Sequence, residues 1–461
     1  MHNSEKTHLL FFEDLFEVMY QYLFKKNINW SDPKKITFFE YLYVFVLIIY
    51  AGKANTFVVS TSLITNPVGV SLIVVISGIL AIRGNIIFNK NFYLLICCFF
   101  IYFIAISIKY SEIHPTIFLD YFLLFFIAYV TIKALEFNLF KIYEYVLYYL
   151  AIIGLLMWGI QIILGGDTLY YYFSKISLLK STSFVSLDGL NAIIYSVMPS
   201  SESLYNFTIP RNCGFAWEPG GFAVYLCLAI FINLFIPNAD SKGKIRFWVL
   251  FFALISTQST TGFTIFTIII LFYYLNKKRI IIFLLLPVMV TALILIFSLP
   301  FMSNKIVSVV NETSEIDLIV ERSIGTETPI EPQRFASFMI AIKDFRNNPI
   351  LGNGNITGES WTSKIGANVS AISGIGNLLS DFGIIGFLFF IIYSIKSSFF
   401  LSKYYDYKGK YLLFLIILLI SISYGVILLP LGMSFWMFQL FIPKTSSKID
   451  LYQNPKNESF E

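Results

Sequence analysis

The sequence has little charge, little histidine and little cysteine, and each shortage argues against a class of protein. Only 13% of its 461 residues are charged, against 57% apolar and 18% aromatic residues, which is unusual for a soluble domain. The three histidines form no cluster, and no Walker loop or dinucleotide fingerprint is present. The four cysteines lack metal-site spacing, and adjacent Cys97 and Cys98 do not favour a disulfide scaffold. The net charge of +5 is small for this length, so we expect no nucleic-acid partner.

Long apolar runs dominate the sequence instead. Its mean hydropathy is +0.73. Repeated runs of about 18 apolar residues are typical of membrane-spanning helices. We therefore predict an all-α polytopic membrane protein with about 11–12 transmembrane helices. The predicted spans lie near 37–52, 67–82, 92–108, 115–132, 142–164, 220–236, 246–258, 262–275, 280–299, 374–395 and 411–429, and the run 431–443 is a candidate twelfth.

The basic residues predict the orientation of these spans. Most of the lysines and arginines lie in the loops of one side, whereas the short loops of the other side hold only Lys53 and Lys109. Because cytoplasmic loops carry the excess of basic residues, we predict a cytoplasmic N-terminus. The predicted segments are a cytoplasmic N-terminal segment (1–36), transmembrane helices (37–164, 220–299 and 374–443), a first and a second large outer loop (165–219 and 300–373) and a cytoplasmic tail (444–461).

The two large loops are predicted to be structured and functional, because loops longer than about 15 residues are uncommon otherwise. In the second loop, apolar residues recur at helical spacing from Arg334, which predicts an amphipathic helix over 334–346. Arginine on an outer loop runs against the charge bias, and its planar fork suits phosphate oxygens. Arg211, Arg322, Arg334 and Arg346 are therefore candidate ligands of an anion, with solvated loop charges as the alternative.

The first large loop ends in a segment that could hold an anionic, sugar-bearing substrate. Pro219 suits the first turn of a helix and pushes Glu218 toward an extended conformation. Arg211, Trp217 and the free N–H groups of the helix are predicted to lie beside this carboxylate. Glu218 could then act as a base or orient a sugar hydroxyl. The alternative is an ordinary loop-to-helix junction with one ion pair.

Two further groups are weaker candidates. Asp381 lies inside the apolar run 374–393, where a charge is costly without a purpose. Gln258 and Ser259 belong to a hydroxyl-rich segment, 256–262, between two predicted spans. Their side chains could line the same cavity as the arginines, or simply cap and kink two helices. We expect neither a metal site nor a cofactor.

The motifs, taken in order, resemble those of the O-antigen and capsular polysaccharide polymerases (Wzy-type), which are related to the O-antigen ligases. The matching segments are Arg211-x-x-Gly214-x-x-x-Glu218-Pro219-Gly-Gly, Thr257-Gln-Ser-Thr-Thr-Gly262, the helix from Arg334 to Asn348-Pro-Ile-Leu-Gly352-Asn-Gly354, and Gly376-Asn377-Leu-Leu-Ser-Asp381-Phe-Gly383-Ile-Ile-Gly386. In layout, the resemblance covers roughly residues 40–430.

The resemblance implies a lipid-sugar (C-type) glycosyltransferase in the bacterial cytoplasmic membrane. It would join undecaprenyl-pyrophosphate-linked oligosaccharides on the outer face, with a chain-length regulator protein as a further partner. By matching motif, Arg211 and Arg334 would bind the pyrophosphates. Taken together with the residue patterns described above, the expected catalytic residues are Arg211, Glu218 and Arg334. The expected substrate-binding residues are Trp217, Gly214, Gln258, Ser259, Arg322, Arg346, Asn377 and Asp381.

Two alternatives remain open at this stage. An O-antigen ligase would transfer finished glycan onto a lipid core. Ligases place a His-Asn pair before the late Gly-x-x-Gly, whereas the second large loop here contains no histidine. A flippase or exporter without chemistry would carry charged residues throughout its spans, whereas here they concentrate in the two large loops.

Overall fold

The structure is a computed structural model. It describes residues 36–54, 62–63, 65–175, 190–197, 202–204, 207–237, 242–277, 316–326, 330, 332, 334–356, 358–369 and 373–442. In these ranges the chain is almost entirely helical, with two small antiparallel hairpins in the first large loop. The predicted all-α polytopic membrane fold is confirmed. The predicted ninth span, 280–299, and both termini lie outside the described residues.

The helices of the membrane part follow the apolar runs of the sequence. Among the described residues, four helices are long and apolar enough to cross a membrane: α3 (Lys90–Tyr110), α4 (Pro115–Leu135), α5 (Asn138–Leu164) and α13 (Gly374–Tyr404). Five are apolar but shorter: α1 (Phe38–Gly52), α2 (Pro67–Arg83), α7 (Pro219–Phe235), α9 (Thr260–Lys277, apolar to Leu275) and α14 (Leu412–Ser423). The helix α8 (Gly243–Thr257) lies between α7 and α9 in the sequence.

Shorter elements complete the described chain. The first large loop contains α6 (Gly166–Ser174), β1 (Leu190–Asn191), β2 (Ser196–Val197), β3 (Glu202–Leu204) and β4 (Phe207–Ile209), with β1 paired to β2 and β3 to β4. The second contains α10 (Ile316–Arg322), α11 (Arg334–Asn347) and α12 (Trp361–Lys364). After α14 come a 3-10 helix (Gly425–Leu428), α15 (Pro430–Trp436) and α16 (Phe438–Phe441), so the run 431–443 does not form one continuous helix.

Helix starts follow from local chemistry. Proline occupies the first helical position of α2, α4, α7 and α15, where its missing N–H is not needed. Asn66, Asn89 and Ser373 precede α2, α3 and α13, and each side chain accepts a hydrogen bond from a backbone N–H of the first turn. These caps fix where the chain leaves each loop and enters the membrane part.

Helix α7 is the centre of the fold. Fifteen of its 17 residues are buried, which a helix that is apolar on every side requires. It packs against α5, α8 and α9. On one side, the Tyr225 hydroxyl donates to the Ala51 carbonyl of α1, and the Tyr143 hydroxyl of α5 donates to the Tyr225 carbonyl over 3.0 Å. The start of α7 is therefore held rigidly at the end of the first large loop.

A buried ion pair joins three helices near the other end of α7. The Nε atom of Arg246 in α8 lies 2.7 Å from Oε1 of Glu144 in α5, and both side chains are buried. Asn233 of α7 donates to the same oxygen over 2.7 Å. Inside a membrane protein, charged groups are stable only when they are paired in this way.

Helix α13 is broken at Gly383, where φ is 61° and ψ is −159°. A turn that follows α11 fills the break: the Ile384 N–H donates to the Pro349 carbonyl, and the Gly354 N–H donates to the Asp381 carbonyl. The freed backbone groups are thus paired by protein, which a broken membrane helix requires. Because the same turn continues from α11, the second large loop is fixed to the first half of α13.

Candidate functional site

Glu218 occupies the position predicted for it, directly before α7. Its backbone is extended (φ −152°, ψ 161°), as expected for a residue that precedes proline, and its carbonyl accepts the Phe222 N–H of the first turn. Its side chain is partly buried. The carboxylate therefore lies at the positive end of the helix dipole.

Arg334, the first residue of α11, forms an ion pair with Glu218 through its Nη2 atom. The two residues are 116 positions apart and come from different large loops. The Nη1 atom of Arg334 is buried and has no hydrogen-bond partner among the described residues. Because a buried N–H group without an acceptor is costly, this atom is suited to a ligand oxygen.

Tyr424, which the sequence analysis did not single out, contacts both charged groups. The Arg334 guanidinium carbon lies 4.6 Å from the centre of the tyrosine ring, in cation–π geometry. The tyrosine hydroxyl faces the Glu218 side chain closely enough to interact with it. Trp217 approaches the ring edge-on, with 5.7 Å between ring centres. Tyr424 itself is 5% exposed, so these contacts fix it in one place.

The N-termini of four helices meet around Tyr424. Arg334, the first residue of α11, lies over the Tyr424 ring. Gly374 is in the first turn of α13, and a Cβ atom there would overlap with the Tyr424 carbonyl oxygen. A Cβ atom on Gly220, in the first turn of α7, would overlap with its hydroxyl. The Ser259 hydroxyl, directly before α9, lies 3.6 Å from that same Cβ position. Converging helix N-termini create a positive potential that favours an anion.

Arg211 lies at the C-terminal end of a helix, α8. Its Nε atom donates to the Thr257 carbonyl over 3.1 Å, and Nη2 donates to the Gln258 carbonyl over 3.3 Å. These carbonyls close α8, where Gln258 adopts a left-handed conformation (φ 51°). A cation at the negative end of a helix is favourable. Arg211 also lies close enough to influence the ionisation of Tyr424 and Cys213, so it belongs to the same region.

The remaining part of the 210–219 segment is packed tightly behind these charges. The Trp217 N–H donates to the Gly52 carbonyl over 3.2 Å, and its ring covers Gly221. Gly214 has a positive φ of 50°, and a Cβ atom there would lie 2.7 Å from the Phe222 ring. Burial raises the pKa of the Cys213 thiol to about 12, so this thiol stays protonated and unreactive at neutral pH.

Other predicted binding residues lie at varying distances from Tyr424. Ser259 is buried, and its hydroxyl accepts the Gly262 N–H of α9. Asn377 is partly buried in the first turn of α13. Asp381, one turn further, is partly exposed, and its carbonyl accepts the Tyr102 hydroxyl over 2.8 Å. These residues line the start of α9 and α13 rather than the Glu218–Arg334 pair.

Two predicted arginines are not brought to this region. Arg346 is exposed at the far end of α11, about 18 Å along the helix from Arg334 at 1.5 Å per residue. Arg322 is exposed at the end of α10. Neither has a hydrogen bond or ion pair with Glu218, Arg334 or Tyr424 among the described contacts. Their predicted binding roles gain no support from the geometry.

A sequence signal for Tyr424 does exist. Hydropathy predicts one span over 411–429, but Tyr424-Gly425 interrupts that run, and Pro430 directly follows it. The structure ends α14 at Ser423 and continues with a 3-10 helix. Interrupted apolar segments mark binding sites in membrane proteins, because irregular backbone at membrane depth must line a cavity or be buried in protein. A polar aromatic residue at such an interruption is the sequence signal for Tyr424.

Comparison with known families gives one match to part of the chain. A family model described as O-antigen ligase matches residues 245–391. The match runs from α8 to the second half of α13 and includes Arg334, but neither Glu218 nor Tyr424. A comparison with curated proteins gives no match. Together with the apolar helices, this match identifies a membrane protein that is related, over residues 245–391, to the O-antigen ligase family of polysaccharide synthesis.

Proposed function

We propose that the protein is a polymerase that joins undecaprenyl-pyrophosphate-linked oligosaccharide repeat units into O-antigen or capsular polysaccharide. The reaction would take place on the outer face of the bacterial cytoplasmic membrane, with the N-terminus in the cytoplasm. The observation that carries the proposal is the arrangement of Arg334. Its guanidinium group forms an ion pair with Glu218 and stacks on the Tyr424 ring. Its Nη1 atom is buried and has no acceptor among the described residues.

This arrangement fits a substrate that carries both a pyrophosphate and a sugar hydroxyl. The guanidinium group and the four helix N-termini favour the pyrophosphate oxygens. The neighbouring carboxylate of Glu218 suits a hydroxyl donor. Trp217 is partly buried and lies edge-on to the Tyr424 ring, so it supplies an aromatic surface on which a sugar ring can stack.

The proposed reaction transfers a glycosyl group between two lipid-linked substrates. The oxygen of a terminal sugar hydroxyl on one repeat attacks the anomeric carbon of the growing chain. The bond between that carbon and the pyrophosphate oxygen breaks, and lipid pyrophosphate leaves with the electron pair. Glu218 accepts the hydroxyl proton, while Arg334 and Arg211 stabilise the charge on the leaving group. The lipid pyrophosphate is already activated, so no nucleotide sugar is required.

The ligase function is a second candidate, because the matching family model is described as O-antigen ligase. Both reactions use the same leaving group, and they differ in the acceptor. The second large loop contains no histidine, which the resemblance associates with ligases. This difference favours the polymerase.

The test is a ladder analysis of surface polysaccharide in cells whose only copy of the protein carries Arg334→Ala. We expect the ladder to collapse to a core that bears a single repeat, while the protein remains in the membrane. Lys343→Ala is the matched control, because Lys343 is a cation on the same helix and pairs with the exposed Asp317. It should leave the ladder intact.

The other outcomes would contradict the proposal in distinct ways. Loss of the single-repeat band, with lipid-linked polymer accumulating, would indicate a ligase. Retention of lipid-linked single repeats on the cytoplasmic side would indicate a flippase. An unchanged ladder would remove Arg334 from the site.

A further inference from the structure

Tyr424 lies at a junction that no motif of the chain predicts. It follows the last residue of α14 and precedes the 3-10 helix, so its backbone is not part of either helix. Its side chain reaches Glu218 from the first large loop and Arg334 from the second. It also lies outside the residues 245–391 that match the family model.

We propose that Tyr424 is a positioning residue that holds Glu218 and Arg334 in register, with its ring and its hydroxyl performing separate tasks. The ring supports the guanidinium group of Arg334. The hydroxyl holds the carboxylate of Glu218. This inference deepens the proposed function and rests on it.

The fit around Tyr424 shows that its position is tightly specified. Gly220 leaves room for the tyrosine hydroxyl, and Gly374 leaves room for its carbonyl oxygen. The Ser373 hydroxyl donates to the Ile422 carbonyl over 3.1 Å, and the Thr261 and Ser423 hydroxyls lie 3.1 Å apart. The segment that carries Tyr424 is thus joined to the starts of α9 and α13.

The hydroxyl becomes important once a ligand is bound. When pyrophosphate oxygens engage the Arg334 guanidinium, they compete with the Glu218 carboxylate for its N–H groups. The Tyr424 hydroxyl does not bind the leaving group in this scheme and can therefore donate to Glu218. The carboxylate therefore stays in place to accept a proton from the attacking hydroxyl.

Two substitutions separate the two tasks. Tyr424→Phe keeps the ring and removes the hydroxyl, whereas Tyr424→Leu removes both. Tyr407→Phe is the matched control, because the Tyr407 hydroxyl is buried and has no hydrogen-bond partner among the described residues. Tyr407 packs against Phe231 and Phe235, at the opposite end of α7 from Glu218.

The first measurement is the binding of inorganic pyrophosphate to the purified full chain in detergent, by calorimetry. Tyr424→Phe should leave the Kd within about twofold, because the cation–π contact remains. Tyr424→Leu should weaken binding by roughly fivefold or more, since this contact is lost. Arg334→Ala should abolish binding, and Tyr407→Phe should not change it.

The second measurement is polymer formation in cells, normalised to protein in the membrane. Tyr424→Phe should reduce long polymer by about tenfold or more, because a hydrogen bond to a charged group is lost. Reduced polymer with unchanged pyrophosphate affinity is the expected signature, and a general loss of structure would not produce it. Full polymer in Tyr424→Phe, or equal losses in Tyr424→Phe and Tyr407→Phe, would overturn the assignment.

The two hypotheses can fail separately. If Arg334→Ala abolishes polymer and Tyr424→Phe does not, only the role of Tyr424 is wrong. If Arg334→Ala leaves both pyrophosphate binding and polymer unchanged, the proposed function is wrong as well.

Discussion

Glu218 and Arg334 form an ion pair although they are 116 residues apart and belong to different large loops. The pair lies at the N-termini of α7 and α11 and is partly exposed to solvent. A buried structural ion pair in the same chain, Glu144–Arg246, lies among α5, α7 and α8 and is almost fully covered. Because the Glu218 and Arg334 side chains are partly exposed, a ligand can reach this pair, whereas it cannot reach Glu144–Arg246.

The pair leads to a prediction about Glu218→Gln. Removing the carboxylate removes a like charge that competes with a bound anion for Arg334. The affinity for inorganic pyrophosphate should therefore increase by about threefold or more, since the pair is only partly exposed. Polymer formation should nevertheless be lost, because the proton acceptor is gone. Calorimetry and the ladder analysis measure the two effects.

The control for this substitution is Glu359→Gln, which removes a carboxylate that pairs with Lys364 at the surface. Glu359→Gln should change neither the affinity for pyrophosphate nor the ladder. Weaker pyrophosphate binding in Glu218→Gln would show that the carboxylate only holds Arg334 in place.

Gly220→Ala should inactivate the protein through Tyr424. A methyl group at this position would overlap with the tyrosine hydroxyl, so the ring must move away from both Glu218 and Arg334. Gly159→Ala in α5 is the control, because a Cβ atom there has no neighbour within 4 Å. Ladder length and membrane abundance should fall for the first variant only; full polymer in Gly220→Ala would show that this close packing is dispensable.

Arg211→Ala tests whether the first large loop supplies a second cation. Loss of two hydrogen bonds to the end of α8 should destabilise the protein by about 1–3 kcal/mol, and the ladder should shorten to one repeat. Thermal unfolding in detergent measures the first effect. Arg211→Lys should recover part of the stability, but less of the polymer, because lysine lacks the planar fork. An unchanged ladder in Arg211→Ala would exclude this arginine from the site.

The sequence predicts the helices well and the site only in part. Apolar runs and proline positions locate most helices, because both act within a few residues. The motifs indicate Glu218 and Arg334 separately, but their pairing depends on tertiary packing, because the two residues are 116 positions apart. Tyr424 was missed because a hydropathy window averages over the point where α14 ends.

The break in α13 gives a prediction about stability. Gly383 adopts a backbone conformation that is nearly restricted to glycine, and a Cβ atom there would overlap with the Ile350 carbonyl. Gly383→Ala should therefore destabilise the protein by more than about 2 kcal/mol and lower its melting temperature in detergent. Gly78→Ala in α2, where a Cβ atom meets nothing within 4 Å, is the control. Equal melting temperatures for Gly383→Ala and the unmodified protein would show that stability does not depend on the break at Gly383.

Asp344 predicts how stability changes with pH. It lies in α11, outside the membrane-spanning helices, and its carboxylate accepts the Trp361 N–H. Burial raises the pKa of Asp344 above its ordinary value, although this hydrogen bond and Lys364 act in the opposite direction. The ionised form is therefore disfavoured in the folded state. The protonated carboxyl group of Asp344 contributes stability at low pH, and this contribution is lost as the pH rises through the raised pKa.

Asp344→Asn should accordingly melt at a higher temperature than the unmodified protein at pH 7, because the amide still accepts the Trp361 N–H and carries no charge. The difference should shrink as the pH falls toward about 4, where the aspartate is protonated. Asp317→Asn is the control, since Asp317 is exposed and pairs with Lys343 at the surface. A lower melting temperature for Asp344→Asn at pH 7 would mean that the charge on Asp344 stabilises α11, through Lys364 or through the N–H of Trp361, by more than its burial costs.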